Sequence, residues 1–273
     1  MSPPLLWLVW GLAGAVVGAY GTLIGAGGGF VLVPILLIVY PRQSAAQLTA
    51  VSLAAVFANA TSGSAGYYRL RRVDYRSGFV LSLATLPGAV LGALVVGAIP
   101  RATFDLVMGV ALILVAAFLV LRPSGDLSLL AGRWSTVSRE LVDSEGNKYR
   151  YRFNLALATA LSVIVGFISS LLGIGGGIIH VPMLSTFFAF PPHVATATSH
   201  FVLMIMAAGA TATHILHRDF GSLVPVTLAL SAGVIVGAQV GARASSRVGG
   251  TTIIRLLAVA LGVVGIRLLL VRG

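Results

Sequence analysis

The segment Gly25-Ala-Gly-Gly-Gly-Phe-Val-Leu-Val-Pro34 interrupts a strongly apolar part of the chain, and a close copy interrupts another one 148 residues later. The copy reads Gly173-Ile-Gly-Gly-Gly-Ile-Ile-His-Val-Pro182. A run of three glycines weakens a helix, because glycine loses more conformational freedom on folding than any other residue. The two segments therefore predict a chain that is built twice around a broken helix.

Composition indicates that this chain lies in a membrane. Of its 273 residues, 58% are hydrophobic and 9% are charged, whereas about a quarter of the residues of a soluble domain are charged. Two short apolar runs, about 28–40 and 176–190, follow the glycine clusters and either span with a kink or stop halfway. Runs long enough to cross a hydrocarbon core of roughly 30 Å lie at about 5–24, 44–66, 77–99, 102–121, 153–172, 194–216, 222–242 and 252–271. The predicted fold is an all-α polytopic membrane protein with eight to ten transmembrane segments.

Composition also disfavours several other classes of protein. The chain has no cysteine, which removes disulfides, thiol catalysis and cysteine-based metal sites. The first apolar run lacks a basic region and a cleavage site, so we interpret 5–24 as a retained helix. The net charge of +11 is interpreted as loop charge that orients the protein in the lipid bilayer, and no nucleic-acid partner is predicted. No cofactor and no metal site are predicted.

The basic residues are distributed unequally between the two sides of the predicted bundle. If each half has five segments, the loops alternate between the two sides of the membrane. If the glycine-flanked segments are re-entrant instead, all the remaining loops keep the same sides. One side collects Arg69, Arg71, Arg72, Arg76, Arg122, Arg133, Arg139, Lys148, Arg150, Arg152, Arg243 and Arg247. The other collects Arg42, Arg101, Arg218 and Arg272. Basic loops accumulate in the cytoplasm, so both termini are predicted to be extracytoplasmic.

An odd number of crossings in each half places the second copy upside down in the membrane, which predicts two inverted repeats. The similarity extends beyond the glycines, since Val17-Gly18 matches Val165-Gly166 at the same offset. After a shift of three residues, Asp74, Gly88 and Gly92 match Asp219, Gly233 and Gly237. The predicted domains are a first transmembrane repeat, a polar cytoplasmic linker and a second, inverted repeat, at 1–122, 123–152 and 153–273. In the linker, alternating residues around 145–147 permit a small hairpin, and a solvated linker is the alternative.

The glycine clusters are candidates for a ligand site. Irregular backbone is tolerated at membrane depth only where it is buried in protein or lines a watery cavity. The helices that resume at Phe30 and Ile178 would direct free N–H groups and a positive dipole end at that cavity, which favours an anion. The alternative is that the small residues only permit close helix packing. Two copies at matching positions favour a site.

The helix after each glycine cluster has a polar stripe at helical spacing, and the offset of 148 makes Ser52 and His200 equivalent. Such residues usually face the bundle interior or a pathway, although a single hydroxyl often bonds back to its own helix. The stripes comprise Thr49, Ser52, Asn59 and Ser62 in the first half, and Thr196, His200, Thr211 and His214 in the second.

The ionisable residues favour histidine over carboxylate chemistry inside the membrane. All five histidines lie in the second half, and His180 and His200 are the intramembrane candidates for proton coupling or anion contact. No carboxylate falls in the middle of a predicted span. Asp74, Asp105 and Asp219 lie at helix starts, where capping or pairing with the helix dipole is expected.

Each half contains a Gly-X-Gly-Gly-Gly motif with Val-Pro after it. The first copy is followed by Gln47-Leu-Thr-Ala-Val-Ser52 and the second by Ala195-Thr-Ala-Thr-Ser-His200. This doubled pattern resembles the sulfite exporter TauE/SafE family, also called toluene-sulfonate uptake permeases. The resemblance implies transport of sulfur-containing anions such as sulfite, sulfonates or sulfoacetate across a prokaryotic inner membrane. Members of the family vary widely in substrate, so the motif marks the fold and the site better than the ligand.

The residues and the resemblance together predict a secondary transporter, in which a small sulfur-containing anion binds between the halves and crosses the membrane by alternating access. An anion channel, or a transporter of another anion, is the alternative, and an intramembrane enzyme is not expected. Import or export, the coupling ion and the oligomeric state stay open. The predicted substrate-binding residues are Gly25, Gly27, Gly28, Gly29, Gln47, Thr49, Ser52, Asn59, Gly173, Gly175, Gly176, Gly177, Thr196, Ser199 and His200.

Overall fold

The computed structural model describes residues 3–121 and 136–245, together with residues 247, 255, 258, 259, 262, 263, 265 and 266. The first part contains α1 (Pro3–Leu23), α2 (Gly29–Val39), α3 (Ala45–Arg69), α4 (Tyr75–Val95) and α5 (Arg101–Val120). A two-stranded hairpin follows, β1 (Val137–Val142) and β2 (Lys148–Phe153). The second part contains α6 (Leu155–Leu172), α7 (Gly177–Pro182) with a π-helical turn (Met183–Phe187), α8 (Pro192–Leu216) and α9 (Val224–Ala244).

The prediction of an all-α polytopic membrane protein is confirmed. Six helices in the described part of the chain are long and apolar enough to cross a membrane. They occupy Pro4–Leu23, Ala45–Arg69, Tyr75–Ala98, Leu155–Leu172, Pro192–Leu216 and Gly221–Ala244. The predicted total of eight to ten also counted two further runs. The run at 102–121 forms α5 but is not among these six, and most of the run at 252–271 lies outside the described residues.

The helix starts follow local sequence rules. Ser44 and Gln47 form a capping box at the start of α3, where each side chain bonds the backbone N–H of the other residue. Asp74 caps α4, as its position predicted, because Oδ1 accepts the N–H of Ser77 at 3.1 Å. Asn154 caps α6 in the same way, through the N–H of Leu157 at 3.0 Å.

Both glycine-flanked segments are too short to cross a bilayer alone. Helix α2 has 11 residues, which gives about 16 Å of a core roughly 30 Å thick. Trp10, in the first half of α1, stacks on Tyr40 at the end of α2, with ring centroids 5.8 Å apart. The beginning of α1 and the end of α2 therefore lie on the same side, and α2 turns back along α1. Helix α7 has six residues before the π-helical turn of five, so it is equally short.

Glycine pairs spaced by four residues bring helices of the two halves together. A methyl group at Gly88 or Gly92 would collide with backbone atoms of α6, near Val163 and Phe167. The same change at Gly233 or Gly237 would collide with the backbone of α1. Such small-residue crossings let backbones approach closely in membranes. Helix α4 thus packs on the second half, and α9 packs on the first.

The linker contains the hairpin that the turn at 145–147 permitted. Strands β1 and β2 are antiparallel, and Val137 lies opposite Phe153 while Val142 lies opposite Lys148. The hairpin is packed against the membrane domain, because Tyr151 and Phe153 are 5% and 0% exposed. Their rings lie 4.3 and 4.9 Å from the ring of Phe190, which follows α7. Residues 123–135 of the predicted linker lie outside the described part.

Ion pairs fasten the hairpin to the loop between α3 and α4. Arg72 places Nε 3.3 Å from Oδ2 of Asp143, and both side chains are buried. Asp74 accepts the Tyr151 hydroxyl at 2.8 Å and lies 3.5 Å from Nε of Arg139. Each pair joins a residue of the membrane domain to a residue of the hairpin. The hairpin therefore contacts the first half through this loop and the second half through Phe190.

Candidate functional site

The two glycine loops, Gly25–Gly28 and Gly173–Gly176, are buried and lie directly against each other. A methyl group at Gly29 would meet the carbonyl oxygens of Gly173 and Ile174 at 2.7 Å. A methyl group at Gly177 would collide with the carbonyl oxygen of Gly25. The contact is reciprocal, because each resumed helix begins against the loop of the other half.

Backbone conformation explains why these positions are glycine. Gly25, Gly27 and Gly28 have φ angles of 75°, 74° and 83°, and Gly173 and Gly175 have 67° and 78°. Residues with a Cβ adopt this left-handed region only at a cost of roughly 1–2 kcal/mol each. Glycine therefore lets these loops reverse the chain tightly without that cost.

The loops lie level with the centre of the bundle. A methyl group at Gly27 or at Gly175 would meet the side chains of both Val56 of α3 and Leu203 of α8. Val56 and Leu203 are each the twelfth residue of a 25-residue helix. Since α3 and α8 are candidate membrane spans, the loops lie about halfway along them.

Several backbone donors at the loops are free. The N–H groups of Ala26 and Gly27 are bonded to the carbonyl of Gly21, which closes the end of α1. In contrast, the N–H groups of Gly28 and Gly29 form no hydrogen bond with the described residues. The N–H groups of Gly175 and Gly176 likewise form no hydrogen bond with the described residues. Each resumed helix thus begins with unsatisfied donors, an arrangement that favours an anion.

The predicted polar residues of α3 form hydrogen bonds with other groups of the protein. Thr49 donates its hydroxyl to the Ala46 carbonyl at 3.0 Å, and its carbon atoms pack on Gly173. Ser52 donates to the Gly173 carbonyl at 2.7 Å and so holds the second glycine loop. Gln47 lies at the helix start, where its Oε1 accepts the N–H of Ser44 at 3.0 Å. These contacts support helix ends and loops.

Asn59 and Ser62 have structural partners as well. The Asn59 amide donates to the Gly18 carbonyl at 3.0 Å and accepts the Thr22 hydroxyl at 2.8 Å. Ser62 donates to the Ile235 carbonyl at 2.7 Å. The stripe on α3 therefore joins this helix to α1 and α9.

The stripe on α8 differs, because its polar atoms are buried without partners. The hydroxyls of Thr196 and Ser199 and the Nδ1 atom of His200 have no hydrogen-bond partner among the described residues. All three side chains are 0% or 1% exposed, and they lie within little more than one turn of the helix. Thr196 also lies against Gly25 of the first loop. Buried polar groups are normally bonded to protein or water, so such a group of unpartnered atoms marks this part of α8 as a candidate contact for a ligand or for bound water.

The contacts revise the predicted equivalence of Ser52 and His200. Helices α3 and α8 start 147 residues apart, and Thr49 and Thr196 make matching contacts with the opposite loops. This offset pairs Ser52 with Ser199 and not with His200. The pairing by 148 was wrong for these helices, because the chain from the glycine loop to the following long helix is one residue longer in the first half than in the second.

Sequence reasoning missed a network around His200. Its Nε2 atom lies 3.4 Å from the Thr22 hydroxyl, and its ring meets the Tyr67 ring edge-on with centroids 5.6 Å apart. The Tyr67 hydroxyl donates to the Thr22 carbonyl. Gly63 leaves the space that the imidazole fills, since a methyl group there would collide with Nε2. The sequence offered one signal for Thr22, because the residue 148 positions later, Ser170, also has a hydroxyl side chain.

His180 lies in α7, just after the second glycine loop, and is fully buried. Its Nε2 atom lies 3.1 Å from the Ser162 hydroxyl of α6, and its Nδ1 atom has no described partner. The hydroxyls of Ser169 and Ser170, just before the loop, are also unpartnered. Of ten such buried side-chain atoms in the described residues, six therefore lie in the loop-flanking segments or on the first turns of α8.

These features define a class of protein. A polytopic helical bundle holds two broken helices against each other, halfway along its central helices, with free backbone donors and unpartnered side chains beside them. Paired broken helices of this kind are typical of membrane transporters.

Comparison with known proteins agrees with that class. Residues 10–268 match the sulfite exporter TauE/SafE family, and the chain belongs to this family. Bacillus subtilis (strain 168) has a "Probable membrane transporter protein YunE" that is 29% identical over 262 residues, covering 94% of each chain. Its "Probable membrane transporter protein YjnA" is 27% identical over 252 residues, covering 86% of this chain and 91% of the relative. No solved structure matches the chain. The protein is a multi-pass membrane transporter.

Proposed function

We propose that this transporter moves a small sulfur-containing oxyanion, such as sulfite or a sulfonate, and binds it at the two glycine loops. The observation that supports the site most strongly is the set of free donors there. The N–H groups of Gly28, Gly29, Gly175 and Gly176 are free. Thr196 lies against Gly25 of the first loop, and its hydroxyl, the Ser199 hydroxyl and Nδ1 of His200 are unpartnered within little more than one turn of α8. These groups are neutral or weakly basic, so they would bind an anion and still release it.

The proposed mechanism is alternating access between two inverted repeats. The reciprocal contacts support it, because Gly29 meets the loop of the second half as Gly177 meets the loop of the first. The crossings of α4 with α6 and of α9 with α1 are related in the same way. Movement of one half against the other would open the loops to one side and then to the other.

The two halves contribute unequally to the proposed site. In α3 the hydroxyl of Ser52 bonds the Gly173 carbonyl, whereas in α8 the hydroxyl of Ser199 is unpartnered. The anion is therefore expected to contact α8 more than α3. His200 and His180 each have an unpartnered Nδ1 atom beside a loop, which suits them to contact the anion or to carry a coupled proton.

Reconstitution into liposomes tests the function. Purified protein is expected to support saturable flux of sulfite or a sulfonate, measured with the labelled anion against protein-free liposomes. Electrical recording in planar bilayers is expected to show no unitary currents, as for a carrier. Protein that is folded yet supports no flux of any sulfur oxyanion would refute the proposal, and unitary anion currents would replace the carrier by a channel.

The double substitution Thr196→Val and Ser199→Ala is expected to raise the half-saturating anion concentration about tenfold or more, since each hydrogen bond to a charged group contributes about 1.5–3 kcal/mol. The melting temperature should stay the same or rise, because neither hydroxyl bonds the protein. The measurement is concentration-dependent flux. Thr213→Val is the control on the same helix, because that hydroxyl bonds the Gly209 carbonyl at 3.0 Å. Unchanged half-saturation in the double variant would remove α8 from the site.

A further inference from the structure

A separate cavity of about 550 Å³ lies beside the loop that joins α3 to α4. Its lining consists of Tyr68, Arg69, Arg71, Val73, Tyr75 and Leu141. The cavity lies at the ends of two candidate membrane spans, since α3 ends at Arg69 and α4 begins at Tyr75. It is thus placed where the apolar part of a bilayer gives way to its headgroups, well away from the glycine loops.

The two arginines of this cavity form no ion pair with the described residues, unlike two other arginines nearby. Arg72 and Arg139 nearby are paired with Asp143 and Asp74. Arg69 and Arg71, however, have no carboxylate within 4.0 Å in the part of the chain that the structure describes. Two cations beside one cavity attract an anion, and guanidinium groups match the geometry of a phosphate.

Arg71 occupies a backbone position that disfavours arginine. Its φ angle is 53°, and its N–H closes the end of α3 on the Tyr68 carbonyl at 3.1 Å. Glycine usually fills this left-handed position after a helix, because a side chain is strained there. Strain that persists at a charged residue is a reason to look for a ligand.

The surroundings of the cavity favour a lipid over a soluble anion. Tyr68 and Tyr75 are 67% and 42% exposed, as aromatic residues at a membrane interface often are. Phe79 and Leu83 continue from Tyr75 at four-residue spacing along α4, and they are 55% and 51% exposed. An apolar stripe therefore leads from the cavity into the hydrocarbon region.

We propose that this cavity binds the headgroup of an anionic phospholipid. The phosphate lies between Arg69 and Arg71, Tyr68 and Tyr75 lie at the level of the headgroup, and an acyl chain follows Phe79 and Leu83. Leu141 of β1 forms part of the wall. Bound lipid therefore stabilises the contact between the hairpin and the membrane domain.

Melting of the purified full-length protein in detergent, titrated with phosphatidylglycerol, tests this site. The lipid is expected to raise the melting temperature, because a ligand of the folded state stabilises it. The double substitution Arg69→Gln with Arg71→Gln is expected to raise, by about tenfold, the lipid concentration that gives half of the rise in melting temperature. The reason is that each cation near the membrane surface contributes to the binding of an anionic lipid. Arg150→Gln with Arg152→Gln is the matched control, because it removes two charges from exposed positions of β2.

Several outcomes would overturn the proposal. These are an unchanged response in Arg69→Gln with Arg71→Gln, an equal response to phosphatidylcholine, or an equal response to glycerol phosphate, which has no acyl chain. Arg71→Gly separates binding from folding. It relieves the strained backbone, so the lipid-free melting temperature is expected to rise while the response to phosphatidylglycerol weakens. A rise without any weakening would show that Arg71 has only a structural role.

Discussion

Alanine at Gly177 is expected to abolish transport. The added methyl group would collide with the carbonyl oxygen of Gly25 and would lie 2.6 Å from the Cα atom of Ala26. Both atoms belong to the backbone of the opposite loop, so no side-chain rotation relieves the collision. Overpacking typically costs about 1–3 kcal/mol, and here it forces the two loops apart. The two loops that carry the free N–H groups would then be displaced from each other.

Liposome flux and thermal melting measure this effect. Gly29→Ala is expected to act in the same direction, because its methyl group would meet the Gly173 and Ile174 carbonyl oxygens at 2.7 Å. Gly97→Ala is the control, since no heavy atom lies within 4 Å of the added methyl group. Flux and melting of the control should match the unsubstituted protein. Normal flux in Gly177→Ala would show that transport does not depend on close contact between the loops.

Much of the architecture could be predicted because it follows local rules. Glycine clusters in apolar runs indicated broken helices, and the structure places left-handed glycines there. The matched glycine pairs on α4 and α9 lie at close helix crossings. Asp74 caps α4 as expected. In each case the residue type limits the backbone within a few positions, so sequence alone carries the information.

Which hydroxyls of the candidate site already have a hydrogen-bond partner could not be predicted from local rules. Ser52 and Ser199 have the same side chain and matching places in their helices, yet only Ser52 has a bonded partner among the described residues. The difference depends on where the opposite carbonyl lies, to within less than about 1 Å. A helical stripe indicates which face is polar, but it does not indicate whether a hydroxyl is already satisfied. Tertiary packing decides that.

Charge explains how the hairpin stays docked over the membrane domain. Burial raises the pKa of Asp143, but hydrogen bonds from the Asn147 side chain, from the N–H groups of Asn147 and Glu145, and from the Tyr149 hydroxyl outweigh burial and lower the pKa to about 2. The pKa is below its ordinary value of 3.8, so this stabilisation is complete above pH 3.8 and is lost only as the pH falls through about 2. Asp143 is therefore charged at physiological pH and remains available to Arg72.

Arg72→Met is expected to release the hairpin. Its guanidinium pairs with Asp143 at 3.3 Å and with Glu145 at 3.4 Å, and the Arg72 side chain is only 3% exposed. Removing one member of a buried pair typically costs about 3–5 kcal/mol, because the other charge stays buried. The chain has no cysteine, so a single Ser77→Cys reporter beneath the hairpin gives a clean measurement. Ser77 is fully buried and accepts a hydrogen bond from Nε of Arg139 at 3.1 Å, so its labelling by a water-soluble maleimide reports undocking.

In the reporter background, Arg72→Met is expected to speed labelling about a hundredfold, which corresponds to about 3 kcal/mol. Arg150→Met is the control, because its pair with Glu140 is exposed and contributes little. Equal labelling rates in Arg72→Met and Arg150→Met would show that aromatic packing against Phe190, and not the buried ion pair, holds the hairpin in place.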